Sequence, residues 1–136
     1  MKCTPLKRKS KSDFKKLEDK VWAECKRIIR KRYPNTCYTC GRTGLEGANW
    51  HTGHMIAKAS LGASMKYSLD ILRPQCYHCN INLGGMGAVF AERMRKELGE
   101  KKYKELYQRC LDSRNNFTKA SDHYTGLLKE YLSTDK

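Results

Sequence analysis

Apolar residues between positions 13 and 33 step by three and four: Phe14, Leu17, Val21, Cys25 and Ile28 share one face, with Ile29 beside them. That period is helical. Ser12 or Asp13 can cap its start, and Pro34 stops it after Tyr33. Beyond the proline the helical period disappears. Residues 37–44 (CYTCGRTG) are short and polar, and Gly41 and Gly44 permit a tight turn. Residues 45–49 read as a loop, and the loose alternation over 50–57 predicts one strand of a β-hairpin. Residues 60–68 would be its exposed tip and residues 69–72 its return strand, ended by Pro74.

The helical period resumes after Cys79, breaks at Gly84-Gly85-Met86-Gly87, and continues over 88–98 with Val89, Phe90, Met94 and Leu98 inward. Gly99 is a C-terminal stop. A helix over 101–111 offers Tyr103, Leu106, Tyr107 and Cys110 as its stripe. After a polar turn at 112–116, a last helix runs to Leu132 with Phe117, Tyr124, Leu127, Leu128 and Tyr131 inward. No segment repeats.

At 136 residues the chain is read as a basic flexible arm over 1–11 and a single domain over 12–136. With 39% hydrophobic residues and a mean hydropathy of −0.79, burial alone leaves a narrow margin. The 28 Lys and Arg against 14 acids give a net charge of +14, which favours a polyanion, DNA first. Residues 1–35 alone carry 13 basic residues against 4 acidic ones. Lys15, Lys16, Lys20, Lys26, Arg27, Arg30, Lys31 and Arg32 occupy the faces of the first helix away from its apolar stripe. No apolar run approaches the roughly 20 residues of a membrane span, which makes an anionic membrane surface a poor third choice of partner.

Four of the seven cysteines form two Cys-x-x-Cys pairs, Cys37/Cys40 and Cys76/Cys79. Two such pairs can give four thiolates to one structural Zn²⁺. Cys3, Cys25 and Cys110 show no disulfide spacing, which fits a reducing cytosol; Cys25 belongs to a core stripe, while Cys3 and Cys110 read as idle thiols. The 35 residues between Cys40 and Cys76 exceed the gap of a minimal zinc ribbon and carry His51 and His54. A strand with His54, a loop, and a helix opening at the second cysteine pair is the layout of a ββα-metal site. His78 and His123 read as surface and structural residues, and Trp22 and Trp50 as core.

The order Cys-x-x-Cys, Gly53-His54-Met55-Ile56, then Leu72-Arg73-Pro74-Gln75-Cys76-x-x-Cys79-Asn80, resembles the HNH, or His-Me finger, nucleases. Within them it is most similar to the phage NinG (Rap) recombination proteins, and more distantly to recombination endonuclease VII. The likeness covers roughly residues 12–110. It implies an α+β fold: a zinc-bound ββα-metal (HNH-like) core with a long N-terminal helix and two C-terminal helices. It also implies a metal-dependent endonuclease hydrolysing phosphodiester bonds of DNA, on branched intermediates such as D-loops and Holliday junctions, in the cytoplasm of a bacterial host. His54 falls at the general-base position, and Asn80 where endonuclease VII places an oxygen ligand for Mg²⁺ or Mn²⁺.

Two departures stand out. Gly53 replaces the Asp that many HNH enzymes carry before the base, so His51 is taken as the substitute metal ligand. Ile71 stands where the middle Asn belongs, and neighbouring Asp70 should point to the other face. Arg73 could clamp a phosphate bidentately, and Lys58, Lys66, Arg30, Lys31 and Arg32 are the other expected DNA contacts. Paired cuts on a junction would need two sites, hence a homodimer through the C-terminal helices. The rival reading is a non-catalytic zinc-finger DNA-binding protein. An RNA-binding zinc protein is disfavoured because no exposed aromatic platform is evident.

Overall fold

A computed structural model of the chain describes residues 12–115 and 119–135. The arm expected over 1–11, with Cys3, and Phe117 lie outside the described residues. Helix α1 (Asp13–Arg32) follows its periodicity, and the Ser12 hydroxyl caps it by accepting from the Lys15 N–H at 3.2 Å. Val21, Cys25, Ile28 and Ile29 are buried, while Phe14, in the first turn, stays 42% exposed. Extended Tyr33 closes the helix ahead of Pro34, the conformation a following proline favours.

Strands β1 (His51–His54) and β2 (Leu72–Gln75) pair antiparallel, with His51 opposite Gln75 and His54 opposite Leu72. The return strand therefore runs through Pro74 instead of ending before it. In a two-stranded sheet each strand has a free edge, where a missing N–H is tolerated.

Residues 60–68 correct the expected exposed tip. Leu61, Met65 and Tyr67 are buried, on and beside a short helix α2 (Ala63–Lys66). Burying such side chains is worth roughly 1.5–3 kcal/mol each, so a segment this apolar folds back on the core. Tyr67 is then tied from several directions. Its hydroxyl donates to Glu18 at 2.6 Å, and its carbonyl accepts from the Tyr131 hydroxyl at 2.8 Å and the Cys25 thiol at 3.5 Å.

After the second cysteine pair the chain makes one π-helical turn, His78–Asn82, then reverses through Gly84, Gly85 and Met86, whose φ values are +64°, +93° and +53°. Helices α3 (Gly87–Leu98), α4 (Glu100–Ser113) and α5 (Ala120–Ser133) follow. Helix α5 packs along α1. Arg27 of α1 donates to the carbonyls of Tyr131 at 2.9 Å and Thr134 at 2.8 Å, satisfying the end of α5. Tyr124 and Tyr131 are buried in their own chain, so much of the stripe offered to a homodimer is already covered. Cys110 is no idle thiol but a core residue, pushed up to about 11 by burial. Tyr107, expected inward on α4, is 40% exposed.

The outcome is a mixed fold: helices around a small two-stranded sheet, with one main core and a second small cluster around the paired cysteines and Leu45. No described helix is long and apolar enough to cross a membrane.

Candidate functional site

The sulfurs of Cys37, Cys40, Cys76 and Cys79 lie within 4.8 Å of one another, Cys40 and Cys76 at 3.8 Å. A tetrahedral zinc with bonds near 2.3 Å requires sulfur separations of about 3.8 Å. The four thiols could therefore hold one structural zinc. Burial raises the Cys37 thiol, but the Thr39 hydroxyl at 3.4 Å and nearby backbone groups outweigh it and bring it down to about 6. Burial, joined by hydrogen bonds with the neighbouring thiols of Cys76, Cys40 and Cys37, pushes Cys79 up to about 12. The cluster is anchored to the sheet, since the Tyr38 N–H donates to the Pro74 carbonyl at 2.8 Å. His78 is exposed and pairs with Asn82, outside the cluster.

Asn80 follows the last of these cysteines directly, inside the π-helical turn, where its N–H donates to the Cys76 carbonyl at 3.0 Å. It lines a small cavity of about 210 Å³ together with His54, Lys58 and the glycines of the reversal. His54 Nε2 lies 2.9 Å from the Lys66 carbonyl. A carbonyl can only accept, so Nε2 carries the proton and Nδ1 keeps its lone pair. Trp22 of α1 stacks on the imidazole with centroids 5.3 Å apart and planes at 18°. Burial, joined by the charges of Lys58 and Lys66, brings His54 down from 6.5 to about 4, so the ring is neutral at pH 7.

His51 also has its tautomer fixed. Its Nε2 donates to the Ala48 carbonyl at 3.0 Å, and its Nδ1 accepts from the Asn80 amide at 3.0 Å. The lone pair that the sequence offered to a metal is thus spent on Asn80. His51, expected as a metal ligand, instead has both ring nitrogens in hydrogen bonds and fixes the orientation of the Asn80 amide. Among the described residues only the paired cysteines form a metal-type group of three or more His, Cys, Asp or Glu.

Arg73 is the second correction. It is 3% exposed, ion-paired with Glu97, bonded to the Leu72 carbonyl at 2.7 Å, and lies over the Tyr33 ring at 4.8 Å. It holds β2 to α3 and is not free to clamp a phosphate. Lys31 and Arg32 are both engaged by Asp135 beyond the end of α5. Asp70 faces away from the cavity and meets Arg109 at 3.5 Å, and Ile71 is fully buried in the core. The cation lining the cavity, among the described residues, is Lys58, whose ammonium sits 5.6 Å over Trp22; Lys66 reaches the site through its carbonyl, which holds His54. Next to it, and sharing Asn80, lies a cavity of about 350 Å³ lined by Trp22, Lys26, Arg30, Trp50 and His51. Arg30 lies 4.7 Å over Trp50 and donates to its carbonyl at 2.7 Å. Among the described residues no carboxylate lines either cavity.

The family model described as Bacteriophage Lambda NinG protein matches residues 1–133. This chain belongs to the NinG family. Membership connects it with phage recombination. Neither the curated proteins nor the solved structures give a match.

In this NinG-family chain, sequence reasoning missed two supporting residues. Trp22 packs against the core as expected, and it also stacks on His54, which was not foreseen. An aromatic between Lys20 and Lys26, off the Val21–Cys25–Ile28 stripe, was the available signal. Gln75 is fully buried, and its amide donates to the Thr39 hydroxyl at 3.1 Å and the Gly85 carbonyl at 2.9 Å. It joins the first cysteine turn, the sheet and the glycine reversal. It also accounts for Gly53, because a Cβ there would lie 1.7 Å from Gln75 Oε1. The space an aspartate would need is filled by that side chain.

Proposed function

We propose that this chain is an HNH-type endonuclease that hydrolyses phosphodiester bonds in DNA, on branched intermediates such as D-loops and Holliday junctions. One observation carries the reading: His54, its Nε2 proton fixed on the Lys66 carbonyl, shares a cavity with Asn80 and Lys58. In this account His54 Nδ1 takes a proton from water, and the water oxygen attacks phosphorus in line. The bond from phosphorus to the 3′ oxygen breaks, leaving a 5′-phosphate and a 3′-hydroxyl that takes a proton from solvent. Lys58 holds a phosphate oxygen. The approaching phosphate raises the basicity of a ring that is otherwise held low.

A zinc held by Cys37, Cys40, Cys76 and Cys79 would be structural and would fix Asn80 through Cys79. A Mg²⁺ or Mn²⁺ ion would be held by Asn80 Oδ1, itself oriented by His51, and would neutralise charge on the phosphate and the leaving oxygen. The residues fit such an ion only together with its substrate. One neutral amide and no carboxylate give little affinity, and Mg²⁺ readily keeps its waters and takes phosphate oxygens as ligands. The setting is the cytoplasm of the phage-infected cell, and two copies would be needed for paired cuts.

The rival, a non-catalytic zinc-finger DNA-binding protein, shares the charge and the cysteines. A nicking assay on a four-way junction separates them. His54→Ala should abolish Mg²⁺-dependent cutting while keeping zinc content and junction affinity. Wild-type protein that binds the junction but never cuts with Mg²⁺ or Mn²⁺ makes the rival correct.

A further inference from the structure

The catalytic cavity does not end at the glycine reversal. A larger groove of about 820 Å³ shares Met55, Ala57, Gly84 and Gly87 with it and runs on between α3 and α4. Its volume lies in the range of about 300–1,000 Å³ of sites that take a small organic group. Tyr103 in its wall is 5% exposed and covered by Arg95 at 4.7 Å. Tyr107, one turn further along α4 and 6.1 Å from Tyr103, is the aromatic ring left open, at 40% exposure. Met55, Ile56 and Ala91 supply apolar surface around it.

The charges at the two ends of this path differ. On the far side of Asn80, Lys26 and Arg30 line a cavity with no acid, suited to a backbone phosphate. In the α3–α4 groove the cations already have an anion: Glu100 lies 3.8 Å from Arg95 and 3.7 Å from Lys104. A phosphate there would have to displace a carboxylate. An uncharged flat ring would not, and it would find an open tyrosine face.

We propose that the α3–α4 groove takes an unpaired nucleobase of the DNA strand being cut, stacked on Tyr107, next to the scissile phosphate. The inference rests on the nuclease reading of the His54 cavity, because continuity with that cavity is what sets a base beside this groove. It goes beyond that reading in giving the chain a reason to prefer DNA with a displaced or unpaired strand, as in a D-loop: an intact duplex has no free base to offer. Stacking one base on an aromatic residue changes affinity by a factor of about 5 to 150.

The test uses a duplex containing one unpaired 2-aminopurine, compared with the fully paired duplex. Cleavage by wild type should favour the unpaired substrate, Tyr107→Ala should reduce that preference about 10-fold, and Tyr107→Phe should keep it. Binding is read separately in the His54→Ala background, where no strand is cut, by quenching of 2-aminopurine emission. Quenching that is lost with Tyr107→Ala and retained with Tyr107→Phe supports the proposal. Preference and quenching that survive Tyr107→Ala, or quenching lost equally in Tyr107→Phe, overturn it. Failure of the nuclease reading looks different: wild type does not cut either substrate, while the fluorescence still reports whether a base enters the groove.

Discussion

Gly53→Ala should damage this protein far more than a methyl group suggests. The added Cβ would lie 1.7 Å from Gln75 Oε1, 2.6 Å from its Cδ and 3.0 Å from its Cγ. A long side chain can often swing aside, but Gln75 is fully buried and its amide is held by Thr39 and Gly85. Moving it breaks two hydrogen bonds worth about 1 kcal/mol each and strands their partners, at a further 1–3 kcal/mol. The smaller entropy of the unfolded alanine chain returns about 0.5 kcal/mol. The net loss is about 2.5–4.5 kcal/mol. Urea unfolding of the zinc-loaded protein, at a slope near 2 kcal/mol/M, should show a midpoint lowered by about 1–2 M. A double-mutant cycle isolates the cause: on a Gln75→Ala background, Gly53→Ala should cost less than about 0.5 kcal/mol. Equal costs on both backgrounds would refute the account of why glycine stands before His54.

Four more outcomes are expected. Removing zinc with a strong chelator, or replacing Cys79 by Ser, should collapse the centre of the protein and abolish cutting, since such a site contributes an apparent ~10–16 kcal/mol; unchanged near-ultraviolet dichroism and melting after chelation would contradict this. Because burial brings His54 down to about 4, kcat/KM for cleavage should stay flat from about pH 7.5 to 5.5, without the fall near 6.5 of an ordinary imidazole. The same shift makes the unfolded chain bind the extra proton, so its contribution is whole above about pH 6.5 and up to ~3 kcal/mol is lost as pH falls toward 4, which urea titrations between those values would register. Trp22→Leu should lower kcat about 3–10-fold with KM little changed, by removing the stack that orients His54; a change in KM alone would make Trp22 a DNA contact instead.

Periodicity and cysteine spacing carried most of the fold. The stripe on α1 and the glycine break before α3 are local signals, and local signals are legible. The segment 60–68 was misjudged because Leu61, Met65 and Tyr67 are spaced too irregularly to announce a buried face; Tyr67 is held by partners distant in sequence, at positions 18, 25 and 131. At the site, motif order led to His54 and Asn80. The tautomers of His51 and His54 were not legible, since the carbonyls of Ala48 and Lys66 fix them, and a backbone carbonyl has no sequence signature. Arg73, a few residues before Cys76 and Asn80, looked like a phosphate clamp until Glu97, one helix later, claimed it.

The account turns on whether phosphate and ion meet between His54 and Asn80. A crystal of the His54→Ala protein with a four-way junction, soaked in Mn²⁺ and measured at the manganese edge, addresses that directly. The account predicts an anomalous peak beside Asn80 Oδ1, with a backbone phosphate against it and Lys58 on the same phosphate. A bound junction with no peak in that cavity, or with its backbone on another face of the protein, would contradict it.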